Sequence, residues 1–259
     1  MALAALAATF FFLSSCGKEE DSTNDGNNTT GQEWRITHIA KIYEFEYPFP
    51  SSEGYDYDAL ARISVKHDTL NKGTDYETSG DINFSYEDGM VVLTQNGGSD
   101  KFVIENGRVV TWISKYGATE YRTTMEYDDN NHLVKEITPG SDTTIYIWNG
   151  EDLVGRYIHY FGSVKRIVRE TYTPSAYPFS AFPMNGEVYV GIQEVSQMGL
   201  YGKNPAHLPL KLEGKATDED GTVEYVRDYE YVITDSRVDT LRVNTNSSNY
   251  SYVVKWGLK

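Results

Sequence analysis

The sequence predicts an all-β fold: a long antiparallel meander, curled or twisted, with an irregular covering segment and a last set of strands. Three observations carry that expectation. The first is composition. The 259 residues hold 21 tyrosines against 10 phenylalanines and 4 tryptophans, and tyrosine, threonine and valine suit a pleated, half-buried surface better than a helix. The second is punctuation. Asp88-Gly89, Gly97-Gly98, Asn106-Gly107, Tyr116-Gly117, Asn130-Asn131, Pro139-Gly140, Asn149-Gly150 and Phe161-Gly162 recur every nine to fourteen residues. Asn-Gly and Asp-Gly reach positive φ cheaply, as two-residue hairpins require. The third is what lies between. "MVVLTQ", "KFVIE", "RVVTWISK", "EYRTTMEY", "TTIYIW" and "LVGRYIHYF" are β-branched, aromatic and free of proline. Connections this short hold no crossover helix, so neighbouring strands run antiparallel.

In chain order, residues 2–13, "ALAALAATFFFL", form an apolar run too short for a bilayer, which needs roughly 20 residues. They fit the apolar region of a signal peptide over 1–15. No Lys or Arg precedes the run, so the natural start is expected upstream. Residues 16–33 are polar or acidic and lack an apolar anchor, so they read as a flexible tether. One β-rich domain fills 34–259. Its meander spans 34–173, with early strands within 34–47 and 60–69 and regular hairpins from about 76. The segment 174–212 holds five of the eight prolines and is expected to be an irregular cover with at most one short helix, within 188–198. Its apolar residues, among them Tyr177, Phe179, Phe182, Met184, Val188, Ile192, Val195, Met198, Leu200, Tyr201, Leu208 and Leu210, are expected to bury against Ile145, Ile147 and Val154. The C-terminal strands occupy 213–259, near 222–234, 237–243 and 250–256.

Cys16 is the only cysteine, so no internal disulfide exists. Leu13-Ser14-Ser15-Cys16 resembles the bacterial lipobox, in which a peptidase cuts before a cysteine whose sulfur carries a diacylglycerol. Each buried methylene contributes about 0.8 kcal/mol and one chain holds only marginally, so an anchor of two or three chains is effectively permanent. Gly17-Lys18-Glu19-Glu20-Asp21 is similar to the acidic export signal of Bacteroidetes lipoproteins, which implies the outer face of the outer membrane.

The hairpins are weakly self-similar. Tyr86-Glu87-Asp88-Gly89, Tyr127-Asp128-Asp129-Asn130-Asn131-His132-Leu133 and Trp148-Asn149-Gly150-Glu151-Asp152-Leu153 each place an aromatic residue, acidic or Asn turn residues, then apolar residues. They resemble the Tyr-Asp repeats of Rhs-type shells. "YPFSAFPMN" followed by "MGLYGKNPAHLP" resembles a family of uncharacterised Bacteroidetes lipoproteins. Leu200, Gly202, Lys203, Leu208 and Pro209 match, and the likeness runs over most of 80–256. It implies fold and location, and no activity.

A formal net charge of -15 repels a phosphate backbone and argues against nucleic acid. The five histidines, His38, His67, His132, His159 and His207, show no zinc spacing. No nucleophile elbow, P-loop or dinucleotide fingerprint occurs. The turns "DEDG" at 218–221 and "DDNNH" at 128–132 lack the distal Glu of a calcium loop. The expectation is therefore no enzyme, no cofactor and no metal. Trp112, Tyr146, Trp148, Tyr157 and Tyr160 are the candidate ligand-binding aromatics, since a sheet that displays rings can hold a glycan or a protein. Packing rings against the cover is the simpler role for them. The functional expectation is a membrane-anchored surface lipoprotein acting as a binding or scaffold module. The alternative is a polysaccharide-processing enzyme or accessory glycan-binding protein.

Overall fold

The computed structural model describes residues 34–43, 51–75, 77–161, 165–179 and 193–258. The expected signal peptide, Cys16 and the tether lie outside them. Sixteen strands follow one another: β1 (Trp34–Tyr43), β2 (Ser51–Tyr57), β3 (Ile63–Leu70), β4 (Thr78–Glu87), β5 (Met90–Gln95), β6 (Gly98–Glu105), β7 (Arg108–Tyr116) and β8 (Thr119–Tyr127). The second half holds β9 (Leu133–Thr138), β10 (Asp142–Asn149), β11 (Asp152–Tyr160), β12 (Arg166–Pro178), β13 (His207–Asp218), β14 (Gly221–Thr234), β15 (Arg237–Thr245) and β16 (Asn249–Leu258). A five-residue helix, α1 (Gln193–Gln197), lies between β12 and β13.

Each strand pairs antiparallel with the next, as the hairpin beat predicts. The expected curled sheet needs one correction. β1 also pairs with β16, from Trp34↔Leu258 to Tyr43↔Tyr250, and the sheet is a closed barrel. Closure satisfies the two edges that an open meander would leave bare. Turn spacing reports local pairing only, so a contact between the first and last strands is invisible to it. The sequence reading also missed β2, whose "SSEGYDY" has no branched apolar residue.

The two ends of the barrel differ. At one end seven of the eight strand pairs carry an irregularity, β4–β5 being the regular one. Register shifts fall at Ile36/His38, Asp56/Tyr57, Val103/Ile104, Glu126/Tyr127, Ile147/Trp148 and Val232/Ile233, and twice around Pro174. A bulge leaves a ladder carbonyl without its amide partner. Here an aromatic side chain from the neighbouring strand supplies the donor. Tyr57 Oη donates to Ile36 O (2.6 Å), Tyr86 to Ile63 O (2.7 Å), Tyr127 to Val109 O (2.7 Å) and Tyr231 to Pro209 O (2.6 Å). Trp148 Nε1 donates to Leu133 O (2.9 Å) and Trp256 Nε1 to Val238 O (3.0 Å). Cations cover the same rings, with Arg35 4.3 Å from the Tyr57 centroid, Arg62 3.9 Å from Tyr86 and Arg108 4.5 Å from Tyr127. His132 stacks on Trp148 at 4.3 Å. The self-similar "aromatic, turn, apolar" hairpins are this belt seen in the sequence.

The belt end is filled from within. The described part of the β12–β13 connection crosses it from β3 to β13. Glu194, Val195 and Ser196 of α1 are buried, and Glu194 meets Lys66 of β3 at 2.7 Å. Met198 Sδ lies 3.6 Å from Tyr86 Oη, and Val109 N donates to Leu200 O at 2.7 Å. Lys203 N donates to Asn131 O, and Ala206 N to Glu151 O. Gly202 has φ 76°, and a Cβ there would stand 2.3 Å from Asn131 O, so only glycine lets this strap lie on the β8–β9 turn. The cover is therefore a plug inside the barrel. Val195, Tyr201, Leu208 and Phe179 are buried as expected, whereas Tyr177 and Leu210 are exposed. Phe182, Met184, Val188 and Ile192 lie outside the described residues. The expected partners Ile145 and Ile147 point outward and are 40% and 50% exposed. Tyr146, between them, is buried on the inner face.

Burial alone would push Lys66 towards its neutral form, but Glu194, Glu53 and Asp68 more than offset this and hold the ammonium charged. Lys66→Met leaves Glu194 buried without its cation and should destabilise the protein by about 3–5 kcal/mol in chemical denaturation. Adding Glu194→Leu should recover most of that loss, because two apolar side chains do not leave a stranded charge. A double variant no better than the single one would refute the pairing as the plug's tether.

Candidate functional site

Paired residues share a face, so the register sorts each strand into outward and inward sets. The outward set holds both charged and uncharged rows; Val103↔Thr111↔Thr124↔Ile137↔Thr143↔His159↔Ile167 carries no Asp, Glu, Lys or Arg. One continuous row runs Glu126↔Lys135↔Ile145↔Tyr157↔Arg169↔Lys215↔Glu224. Glu126, Arg169, Lys215, Glu224, Glu230 and Arg242 on this wall are all exposed. His67 sits outside between Asp81 (2.8 Å) and Asp56 (3.1 Å), and those bonds raise its pKa. A barrel that spans a bilayer presents an apolar band about 25 Å tall, and each mid-depth Arg or Lys on that face costs about 2–4 kcal/mol. The row from Glu126 to Glu224 sets such charges on adjacent strands of the outer wall.

The inward set changes character along the axis. Near the belt it is apolar: Ile36, Ile63, Phe102, Val109, Leu133, Leu212, Val238 and Leu241 are buried around the plug. Away from the plug it becomes polar. Trp112 Nε1 donates to Asp100 Oδ1 at 3.1 Å, and Thr123 and Thr138 share a 2.8 Å bond. Tyr146 Oη donates to Glu136 at 3.0 Å. Arg156 places Nε and Nη2 each 2.7 Å from Glu170. Tyr172 Oη (2.6 Å) and Tyr225 Oη (2.7 Å) also donate to Glu170. The register makes these one band, since Tyr146↔Arg156↔Glu170↔Gly214↔Tyr225 is a single row across β10–β14. Water reaches it, because the Arg156 side chain keeps 23% of its surface.

Gly214 makes the row possible. A Cβ there would lie 2.1 Å from Tyr225 Cζ. Without it, the Tyr225 ring lies flat over β13 and its hydroxyl reaches β12.

The two carboxyls of the band have opposite electrostatics. Burial works against ionised Glu170, but Arg156 and the Tyr172 and Tyr225 hydroxyls outweigh it and hold the group below its ordinary value. Burial dominates at Glu136 and pushes it up to about 7, only partly countered by Tyr146 and Arg156. One carboxylate is therefore fixed and ionised, and the other is a proton donor or acceptor near neutrality.

The five candidate aromatics do not share one face. Trp112, Tyr146 and Tyr160 point inward, and Trp148 belongs to the structural belt. Tyr157 is on the outer wall, its ring 5.5 Å from the Arg169 guanidinium carbon. Tyr160 joins Tyr225 around Ile158, Val168 and Ala216. Sequence reasoning missed Glu136, Arg156, Glu170, Tyr172 and Tyr225. The signal was parity: in "EDLVGRYIHYF" and "VKRIVRETY" these charges alternate in step with core residues. Among the described residues no group of three or more His, Cys, Asp or Glu is arranged to hold a metal, and none of the helices is long and apolar enough to cross a membrane.

The fold and site define a closed, internally plugged 16-stranded antiparallel barrel with a charged outer wall. Two solved structures are similar to this chain in fold. A porin-like protein from Bacteroides uniformis matches with a TM-score of 0.59 at 14% identity, over 86% of this chain and 95% of that one. A porin-like protein from Bacteroides vulgatus matches with a TM-score of 0.57 at 13% identity, over 86% and 98%. No family model and no curated protein matches the chain.

Gly214→Val should displace Tyr225, cut its bond to Glu170 and cost about 1–3 kcal/mol by denaturation. Adding Tyr225→Ala should restore part of that stability by removing the clash, and a further loss would refute the packing argument. Glu136 gives a pH signature. Its pKa is raised on folding, so it costs nothing while protonated in both states. Stability is lost as pH climbs from about 4.5, where the unfolded chain ionises, to about 7, where the folded group does. Glu136→Gln should remove this loss, and its advantage over the parent should grow by about 1–3 kcal/mol between pH 4 and pH 8. Parallel stability curves for the two proteins would show that Glu136 is not strained.

Proposed function

We propose that this chain is a lipid-anchored binding module on the outer face of a bacterial outer membrane, held through Cys16. The barrel stands in water beside the bilayer, and its polar inner wall is the binding surface. The anchor rests on the lipobox resemblance and the polar tether, and the outward placement on the acidic stretch after Cys16. The likeness to uncharacterised Bacteroidetes lipoproteins agrees with this location. The binding role is carried by one observation. An Arg–Glu pair with three tyrosine hydroxyls occupies an inner wall where apolar residues of the same volume would serve stability as well or better. Such a network has a use when a ligand meets it. The plug supports a role other than conduction, because it fills the belt end with packed side chains.

The location is tested by labelling the native host with an alkynyl palmitate analogue and fractionating its membranes. The parent should be labelled, sediment with outer membranes and be shaved by protease from intact cells. Cys16→Ser should be unlabelled and soluble. A Cys16→Ser protein that stays in the membrane would mean that the barrel inserts by itself, and the proposal would fall.

A further inference from the structure

The chemistry of the inner wall narrows the ligand, granted that this wall is the binding surface. Sixteen strands enclose more cross-section than their own side chains span, and barrels of this size keep a water-filled interior unless a segment fills it. The described plug residues bond to β3, β4, β7, β11 and the β8–β9 turn near the belt. The polar band lies beyond them.

That band has three properties. Its charges are of both signs and dispersed: Arg156 answers Glu170, Arg227 lies 5.9 Å from the Tyr225 ring, and Asp100 and Asp142 stand on the same wall. A phosphate or a polycation would find no cluster of one sign there. Its part-exposed polar atoms are short-range hydrogen-bonding groups: the Glu136 carboxyl, the Arg156 fork and the Tyr225 hydroxyl, with Tyr146 and Thr144 buried behind them. Arginine and carboxylate forks pair well with vicinal hydroxyls, one donating and the other accepting. Its third property is flat apolar surface. Half-buried Trp112, Tyr160 and Tyr225 present ring surface on the same inner wall. Rings suit a ligand that has C–H faces between its hydroxyls.

We propose that the inner wall between β7 and β14 binds a neutral saccharide, with hydroxyls on Glu136, Arg156 and Tyr225 and a sugar face on the Trp112 or Tyr160 ring. This deepens the binding reading and rests on it. A site of this kind rejects analogues that lack the hydroxyls, because its polar groups would be left unpaired.

The test uses the mature chain and saturation-transfer NMR. The saccharide probes are glucose, galactose, mannose, xylose and N-acetylglucosamine at about 20 mM; decanoate and inorganic phosphate are the comparison probes. Trp112 supplies a local reporter, since Trp34, Trp148 and Trp256 all sit at the belt end. At least one sugar should bind and change the tryptophan fluorescence, and Trp112→Phe should abolish that change. Tyr225→Phe, which keeps the ring and removes the hydroxyl, should weaken binding about tenfold. Thr144→Tyr, which fills the band, should abolish it.

Three results overturn the inference. If decanoate or phosphate binds with the same sensitivity to Thr144→Tyr while no sugar does, the saccharide class is wrong and the inner wall remains the site. If sugars bind equally well to all three variants, the sugar site is elsewhere. If no probe binds, both the ligand class and the inner-wall reading fail.

Discussion

The barrel depends on how its bulged carbonyls are satisfied. A meander of sixteen strands must coil to meet its own first strand, and coiling needs strands that twist more at one end. Bulges supply the twist but strip a carbonyl of its amide. In six places a tyrosine or tryptophan from the next strand donates to that carbonyl. The extra residue follows the acceptor each time: Thr37 after Ile36, Ser64 after Ile63, Val110 after Val109, Val134 after Leu133, Leu210 after Pro209 and Asp239 after Val238. An amphipathic ring suits the task, because its body packs in the core and its polar tip reaches the backbone. That accounts for Tyr57, Tyr86, Tyr127 and Tyr231.

The belt then sets what the interior can be. Its rings and the buried aliphatic residues beside them need an apolar partner, and wall side chains alone do not span so wide a barrel. The β12–β13 connection meets this need by entering the barrel. It carries Val195, Met198, Leu200 and Tyr201 to the belt, and one charge, Glu194, to Lys66. Once this end is packed, the other half of the inner wall has no hydrophobic demand to meet. There the chain places Glu136, Arg156, Glu170 and four tyrosines.

Much of this was legible in the sequence, and the rest was hidden for identifiable reasons. The hairpins announced themselves through Asn106-Gly107, with φ of 52° and 76°, and through the spacing of its neighbours. The helix fell inside its expected span, shortened to Gln193–Gln197. The belt was glimpsed in Tyr86, Tyr127 and Trp148 as a repeat without a stated purpose. Closure was hidden because β1 and β16 meet across the full length of the domain. The inner band was hidden because charges at core parity look like exposed positions unless the register is known. Ile145 and Ile147 misled for the converse reason: two isoleucines on one face imply a core, but here they face water among Lys135, Arg169 and Lys215.

The proposed placement in water rests on the charges of the outer wall. The fold is similar to that of two structures described as porin-like, at 14% and 13% identity. A single arginine can snorkel out of a bilayer, but the row from Glu126 to Glu224 places charges on several adjacent strands. Glu230↔Arg242 repeats the pattern one strand further on. The same charges protect a closed, tyrosine-rich barrel from sticking to its neighbours. In the proposed reading the barrel stands in water, and an anchor on Cys16 at the end of a polar tether would keep it at a surface without asking anything of the wall.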